Sequence, residues 1–512
     1  MIFSGIQICS LIIISYLKQR NIYMNRIRIL RDLLVITGLL VSAASSAGSG
    51  LAGHYSVGPQ TGTDFPDLQS ALLQVEIEGI SDHVELILTP GIHPTHVEIN
   101  PITLTGNPDA RLMIISEDLN DRAVLTHTPV SSADNWIIKI NQAEMIDLVS
   151  LDFEVGGNLD LTAAVVFDQG GTDINIIDNI FTAHPVAVSS QQDDVSLISQ
   201  FNDTFISELQ VRENEFYFGG AAIFLQSSEV DGLQDLTVSD NLMTGQTARG
   251  SVYLMYLKRV RNLTIEKNTA WLSSQHANGP LLSSANDLLF NRNSILMDGG
   301  GQSHGLRLLS NNLGTGSLSI ISNNFIQATQ YGIQLTGQNA GVSLFNNSIL
   351  LTGTLLGTGF YTSPVDSNNI QVSAVAMKGN IMINLSDAGD TRVLNVSNSN
   401  MFTEVDHNIM YDVDGGSYVL DNTVYSTFAE YQNATGFDGG SSFRDISFVD
   451  ASSGDLHLTP DLFDDTSLLI PANTQVIRDF DGALRATNLH RPGADDAPLP
   501  DLIYYSGFEL VN

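Results

Sequence analysis

A single cysteine, Cys9, stands in the 512-residue chain. That excludes an intramolecular disulfide and any cysteine-based zinc site. Basic residues are scarce, 22 Lys and Arg against 56 Asp and Glu, for a formal net charge of -34. A chain of that sign lacks the positive surface with which a non-specific DNA or RNA binder displaces counterions, and an anionic membrane surface repels it. Charged residues as a class are also few, 15% against 43% hydrophobic, so the chain is not a disordered acidic tail. No apolar run is long enough to span a bilayer, which takes about 20 residues.

What is present begins with an address. Met24 is followed by Arg26, Arg28 and Arg31, then a short apolar run at 33–41, then the small residues Ser45, Ser46 and Ala47. This order is that of a cleaved secretory signal. Residues 1–23 fit it badly, because the apolar stretch at 2–16 has no basic residue before it; Met24 is the expected start. Cleavage after Ala47 removes Lys18, Arg20, Arg26, Arg28, Arg31 and Asp32, leaving 17 basic and 55 acidic residues, net -38, and no cysteine. The protein is therefore expected to be exported and held together by burial and hydrogen bonding.

An eight-residue pattern recurs through the middle of the chain: apolar, any, apolar, two polar-leaning positions, Asn, any, apolar. Its asparagines are Asn179, Asn214, Asn241, Asn268, Asn293, Asn323, Asn347, Asn380 and Asn408, 24 to 35 residues apart. An earlier copy, 146–153, has Leu151 in the Asn place. A second motif often follows, a small residue and then alternating apolar ones, as in Gly305-Leu306-Arg307-Leu308 and Gly332-Ile333-Gln334-Leu335. Alternation over four or five residues means strands. Two or three short strands in each repeat of about 25 residues make one coil of a β-solenoid, whose turns tolerate insertions. Leucine-rich repeats would need a steadier period and a Leu frame. The Asn column is expected at a sharp turn, in left-handed backbone, with its amides bonded coil to coil, and so to be structural.

These repeats resemble those of right-handed parallel β-helix proteins, the pectin-lyase-like superfamily, over roughly residues 55–450. The resemblance implies an all-β fold, a right-handed parallel β-helix solenoid with an N-terminal capping helix. It implies little about function, since the superfamily includes lyases, hydrolases, esterases and adhesins. The expected organisation is a leader at 1–47, a cap and first coils at 48–100, repeats at 101–445, and a closing segment and tail at 446–512. Asp64 or Phe65 is placed near the helix cap, with Pro66 in the first turn and Leu68, Ala71, Leu72 and Val75 on one face. From Ile446 on, Gly454-Asp455-Leu456-His457-Leu458 and Asp479-Phe480-Asp481-Gly482 with Arg485 resemble the choice-of-anchor regions of bacterial surface proteins, and 503–509 resembles a short tail of exported proteins.

Three constellations offer chemistry. Glu215-Phe216-Tyr217-Phe218-Gly219 resembles the nucleophile stretch of pectinesterases, but with Glu for Asp, and the nearest arginine motif is Leu489-His490-Arg491-Pro492 far downstream. Asp173 with Asp193 and Asp194 has the spacing of polygalacturonase acids, without the His and Arg-Ile-Lys partners of that family. The third is a basic enclave, since eight of the 17 basic residues after residue 47 fall in 212–307. Lys258, Arg261, His276, His304 and Arg307 are the candidates for base and carboxylate-neutralising roles in uronate elimination. Tyr253, Tyr256, Trp271, Lys267 and Arg292 are the ligand-binding candidates. A lyase built on this enclave predicts that its basic side chains converge on one groove, and scattered placement of Lys258, Arg261, Arg292 and Arg307 sinks that version. Residues before the ladder Asn form a column, Asp178, Glu213, Asp240, Lys267 and Arg292, in which Asp240 and Lys267 are expected to touch. No metal-ligand set is defined; the Asp-rich turns offer oxygen ligands only for a hard cation such as calcium.

The sequence thus predicts an exported, monomeric solenoid of the bacterial surface or extracellular space. It is expected to bind polysaccharide or another surface ligand, and neither nucleic acid nor membrane. The alternative is a carbohydrate-active enzyme, a uronate polysaccharide lyase ahead of a glycoside hydrolase or pectinesterase.

Overall fold

In the computed structural model the described residues run from 50 to 496, apart from 157–160, 184–192, 203–204, 219, 231, 247–250, 274–275, 300, 313–315, 354–356, 364–371, 388–390, 414 and 416. The side chains of Asp193, Phe218, Gln246, Ser251, Val252 and His276 also lie outside the description, as do the leader and the 503–509 tail resemblance.

The chain is a right-handed parallel β-helix of about 11 turns. Each full coil contributes a strand to three faces. Face 1 includes Ala221–Gln226, Met255–Lys258, His304–Leu309, Tyr331–Thr336 and Thr358–Ser363. Face 2 includes Ile206–Arg212, Leu233–Ser239, Val260–Glu266 and Asn286–Asn291. Face 3 is a separate twelve-stranded sheet running from Gly91–Pro94 to Ile409–Asp412. Coil-to-coil pairing is parallel and in register, as in Leu209 beside Ile174 and Leu236 beside Leu263. Every inward residue therefore lands on its counterpart about 4.8 Å away. The Phe153, Phe181 and Phe216 rings show the effect, stacked 4.7 and 4.9 Å apart within 6° of parallel.

The Asn column is a continuous amide ladder. Asn179 Nδ2 donates to Asn214 Oδ1 at 3.0 Å, and the chain passes through Asn241, Asn268 and Asn293 to Asn324, Asn347, Asn380 and Asn408 at 2.8–3.0 Å. Each Oδ1 also accepts the backbone N–H of the Asn before it, and the Leu151 N–H begins the series on Asn179 Oδ1. At the far end Asn408 Nδ2 meets Asp438 Oδ1 at 3.0 Å, and Tyr431 donates to Asp438 Oδ2 at 2.6 Å. Aligned amides leave their positive end there, so a buried carboxylate closes the ladder.

Two expectations about this column are corrected. The ladder member in its coil is Asn324, not Asn323, because the repeat is shifted by one residue. Ser319 and Ile321 point inward, Leu318 is 54% exposed, Ile326 is in the core and Phe325 faces out. A one-residue slip exchanges the two faces of a strand. The left-handed backbone also falls one residue earlier than expected. Asp178, Glu213, Asp240, Lys267, Arg292, Asn323, Asn346, Gly379 and His407 have φ of 52–68°. The ladder asparagines turn inward just after that bend, so the strained residue points out and its side chain is free to vary.

The first coil is covered by α1 (Leu68–Glu78), which buries Leu68, Ala71, Leu72 and Val75. Its N-cap is Asp67, which accepts from the Ser70 N–H, whereas Asp64 binds the Ser56 N–H and hydroxyl. At the other end α2 (Phe428–Thr435) buries Phe428 and Tyr431, the latter stacked on Tyr418 at 5.0 Å. Residues 446–496 do not cover an end. They fold back as a strap over face 3, burying Ile446, Leu456, Leu458, Leu462, Leu468 and Ala494 against Phe325, Leu350, Ile381, Ile383 and Ile409. Gly379 takes the left-handed position under the strap, where a Cβ would meet the Ile470 side chain. Among the described residues no helix is long and apolar enough to cross a membrane.

Candidate functional site

Face 1 is where cations, rings and a histidine meet. Its second sequence motif explains the geometry. Gly279, Gly305, Gly332 and Gly359 stack where the chain enters the face, and at Gly279, Gly305 and Gly332 a Cβ would strike the backbone of the next coil. The chain bends closely there. The bend aims the residue before each glycine outward in one column and the residue two after it in a second.

The first column holds Tyr253, Asn278, His304, Tyr331, Thr358 and Arg392. The second holds Tyr256, Leu281, Arg307, Gln334 and Tyr361. His304 Nδ1 lies 2.7 Å from Gln334 Oε1 and its ring 4.8 Å from that of Tyr331. With the Gln334 oxygen accepting, Nδ1 carries the proton and Nε2 keeps its lone pair. Burial, then the neighbouring Arg307, pushes the His304 pKa down to about 4, against the Gln334 bond. His304 is therefore a neutral imidazole at neutral pH.

Arg307 has no carboxylate partner among the described residues, and its Nε is buried without an acceptor. In so acidic a chain that is the opposite of what surface statistics supply. Tyr331 and Tyr361 lie 4.9 Å apart; burial, then Tyr361, raises the Tyr331 pKa, while Arg392 lowers it. Upstream, Phe224 and Tyr256 stack at 4.8 Å, and Tyr253 meets Tyr256 edge-on at 6.2 Å.

Of the sequence candidates, Tyr253, Tyr256, His304 and Arg307 come together here. The strand His276–Asn278 lies beside Ser251–Tyr253 on the same face, but the His276 side chain is outside the description. Lys258 stands at the exit of face 1. Arg261 is on face 2, bonded to Gln234 Oε1 at 3.0 Å. Trp271 is on the outward side of face 3, between Thr244 and Leu296. Lys267 and Arg292 are in the left-handed turn column. Lys267 lies 3.8 Å from Asp240, as expected, and Arg292 Nε donates to Phe480 O at 2.6 Å beneath the strap. Convergence of Lys258, Arg261, Arg292 and Arg307 on one groove is thus not observed. Tyr331, Gln334, Tyr361 and Arg392 complete the site instead; the glycine motif was the signal for them.

The other constellations are taken apart. Asp173 is held by Arg111 at 2.5 Å on face 2, while Asp194 sits in the turn before face 1, its carbonyl taken by Asn135 Nδ2 and the Thr162 N–H. Arg491 is in the strap, donating to Phe463 O and Asp496 O, far from Glu215 on face 3. Glu215 accepts from the Tyr217 hydroxyl at 2.9 Å and stands two coils from Asp152 across Ile180. Burial, then Glu154, raises the Asp152 pKa to about 6, with Arg122 opposing and Glu215 adding. No described group of three or more His, Cys, Asp or Glu is placed to hold a metal ion.

The profile of the family described as right-handed beta helix region matches residues 162–350. No curated protein sequence matches the chain. Among solved structures, one described as XylC in complex with xylose aligns at 9% identity with a TM-score of 0.51, over 86% of this chain and 98% of that one. An alginate lyase from Paenibacillus sp. str. FPU-7 aligns at 11% identity, over 59% of this chain and 93% of that one, TM-score 0.33. Pectate lyase Pel9A aligns at 13%, over 90% and 95%, TM-score 0.31. At 9% identity the likeness to XylC is one of fold alone.

Proposed function

We propose that the protein is exported to the bacterial surface or extracellular space, acts as a monomer, and binds an acidic polysaccharide along face 1. The observation that carries this reading is Arg307, a cation left without a carboxylate partner among the described residues and set in one column between Tyr256 and Tyr361. A carboxylate-bearing sugar satisfies the guanidinium, and the flanking rings receive the apolar faces of neighbouring sugars. The reading stands on face 1, not on the fold likenesses.

His304 favours a second reading, uronate elimination at the same place. The neutral Nε2 takes the proton α to the uronate carboxylate, whose charge Arg307 offsets. The electron pair forms the C4–C5 double bond, the C4–O glycosidic bond breaks, and the leaving oxygen takes a proton from Tyr331. The product carries an unsaturated end.

The test is incubation of the protein with acidic and neutral polysaccharides, with and without calcium. Binding without turnover is expected for acidic glycans, weakened roughly 10- to 100-fold by Arg307→Ala. New unsaturated ends, lost in His304→Asn, establish the lyase. Failure to retain any acidic glycan overturns both readings.

A further inference from the structure

A second built surface lies near the N-terminal end of face 1. One outward column leads from Lys139 to Arg307 in six strand steps, roughly 29 Å at about 4.8 Å per strand. One rim consists of rings. His96 is sandwiched between His127 and Trp136, each 4.3 Å away, and Phe201 meets Trp136 edge-on at 5.1 Å. The other rim is polar. Asn141 Nδ2 donates to Glu98 Oε1 at 2.9 Å, and Asn202 Nδ2 to Asp168 Oδ1 at 2.6 Å. Lys139 lies between the rims, 2.8 Å from Glu98, 3.8 Å from Asp168 and 4.7 Å from the Trp136 ring centre. The next two residues of that column, Val166 and Ser199, are each 1% exposed, covered by the side chains around them. Asn141 Oδ1 is buried there without a donor.

The charge pattern selects the ligand. Lys139 is already matched by two carboxylates, so an anionic ligand meets Glu98 and Asp168. A cationic ligand meets Lys139. Burial, then His127, holds His96 below its ordinary pKa, with Lys139 adding and Asp134 opposing, so the neutral form of His96 is favoured. With both faces of His96 taken by His127 and Trp136, and Lys139 over the Trp136 ring, the rim offers ring edges; what remains is a ligand with an apolar edge for the rings and hydroxyls for the amides and carboxylates.

We propose that this end of face 1 is a saccharide subsite for uncharged sugar units, distinct from the acidic units that Arg307 takes. The proposal rests on the reading that face 1 holds a polysaccharide, and it makes that polysaccharide mixed in charge along its length.

Trp136 and Trp271 are the only tryptophans in the chain, and Trp271 is on face 3. In the full-length Trp271→Phe protein, Trp136 emission therefore reports this subsite alone. Titration with neutral oligosaccharides cut from xylan, glucan and mannan is expected to shift that emission saturably for at least one series. Asn141→Ala and Glu98→Gln are each expected to weaken the shift roughly five- to fifty-fold, while Arg307→Ala leaves it unchanged. Glu98→Gln keeps the shape of the side chain and so remains informative if Asn141→Ala does not fold. No saturable shift with any neutral series overturns the proposal, as does a shift indifferent to both variants. A Trp136 response that survives when acidic glycans are not retained keeps the neutral subsite and discards the acidic reading at Arg307.

Discussion

Face 3 is one sheet with two surfaces. In its first coils the outward residues are Asp152, Glu154, Thr182, Glu215, Tyr217, Thr244 and Trp271, polar or half-exposed. In its last coils the same columns hold Phe325, Leu350, Ile381, Ile383 and Ile409, all buried under the strap. The pleat decides which residues point outward. It does not decide whether outward means solvent. The difference is set by a segment more than a hundred residues away from Phe325 in sequence, whose Phe480 ring stacks on Phe325 at 3.9 Å.

The sharpest way to break this contrast is at Arg485. It is 6% exposed and donates to Asn323 Oδ1, Gly493 O and Ala494 O at 2.8–2.9 Å, pinning strap to solenoid. Arg485→Ala leaves the three acceptors without their charged donor and Asp479, 1% exposed, without the cation that opposes its burial. A loss of about 3–5 kcal/mol is expected in denaturant unfolding. If the strap is a separate layer, the loss emerges as an early transition while the far-ultraviolet β signal persists. A loss below about 1 kcal/mol contradicts the pinning role.

The next test compares one column in both halves. Ile383→Ala, beneath the strap, is expected to cost about 2–4 kcal/mol. Thr244→Ala, five coils upstream in the open half, is expected to stay within about 0.5 kcal/mol. Equal costs would mean that the open half is covered too.

A third test is one of pH. Burial works against charge on His457, but its hydrogen bond to Asp455 and the Asp481 carboxylate 3.4 Å from Nε2 outweigh it and lift its pKa to about 10. A group raised in the folded state stabilises fully below its unfolded value, near 6.5, and the gain is lost as pH climbs through about 10. Burial lifts Asp495 to about 7 against the pull of His457, so its ionisation removes stability between about pH 4 and 7. Strap melting is expected to fall steadily as pH rises, and His457→Asn to flatten the slope above pH 6.5. A strap whose melting is flat from pH 6 to 10 in the parent protein rules this out.

Much of this molecule was legible in its sequence. Alternation and recurring Asn are local signals, and each coil repeats them, so strands, parallel stacking and the ladder could be read directly. The error at Asn323 had a physical source. Asn323 and Asn324 are adjacent and both buried, and only the coil register and the Asn293–Asn324 amide bond show which of the two points inward. The site was legible in part. His304, Arg307, Tyr253 and Tyr256 were singled out because cations and rings are rare in this chain. Tyr331, Gln334, Tyr361 and Arg392 were not, because they are far apart in sequence and meet only through coil register. His96, Trp136, Lys139 and Asp168 stayed hidden for the same reason.

The sequence by itself determined the coil, since period-two burial and the Asn turn are properties of a few neighbouring residues. Its scarcity of positive charge also marked the stretch in which an unpaired cation would matter. Only the tertiary structure decided which cations are unpaired, which outward columns are covered and where the charge of the ladder ends. Those depend on contacts between residues tens to hundreds of positions apart, such as Arg485 with Asn323 and Asn408 with Asp438, and no local pattern encodes them.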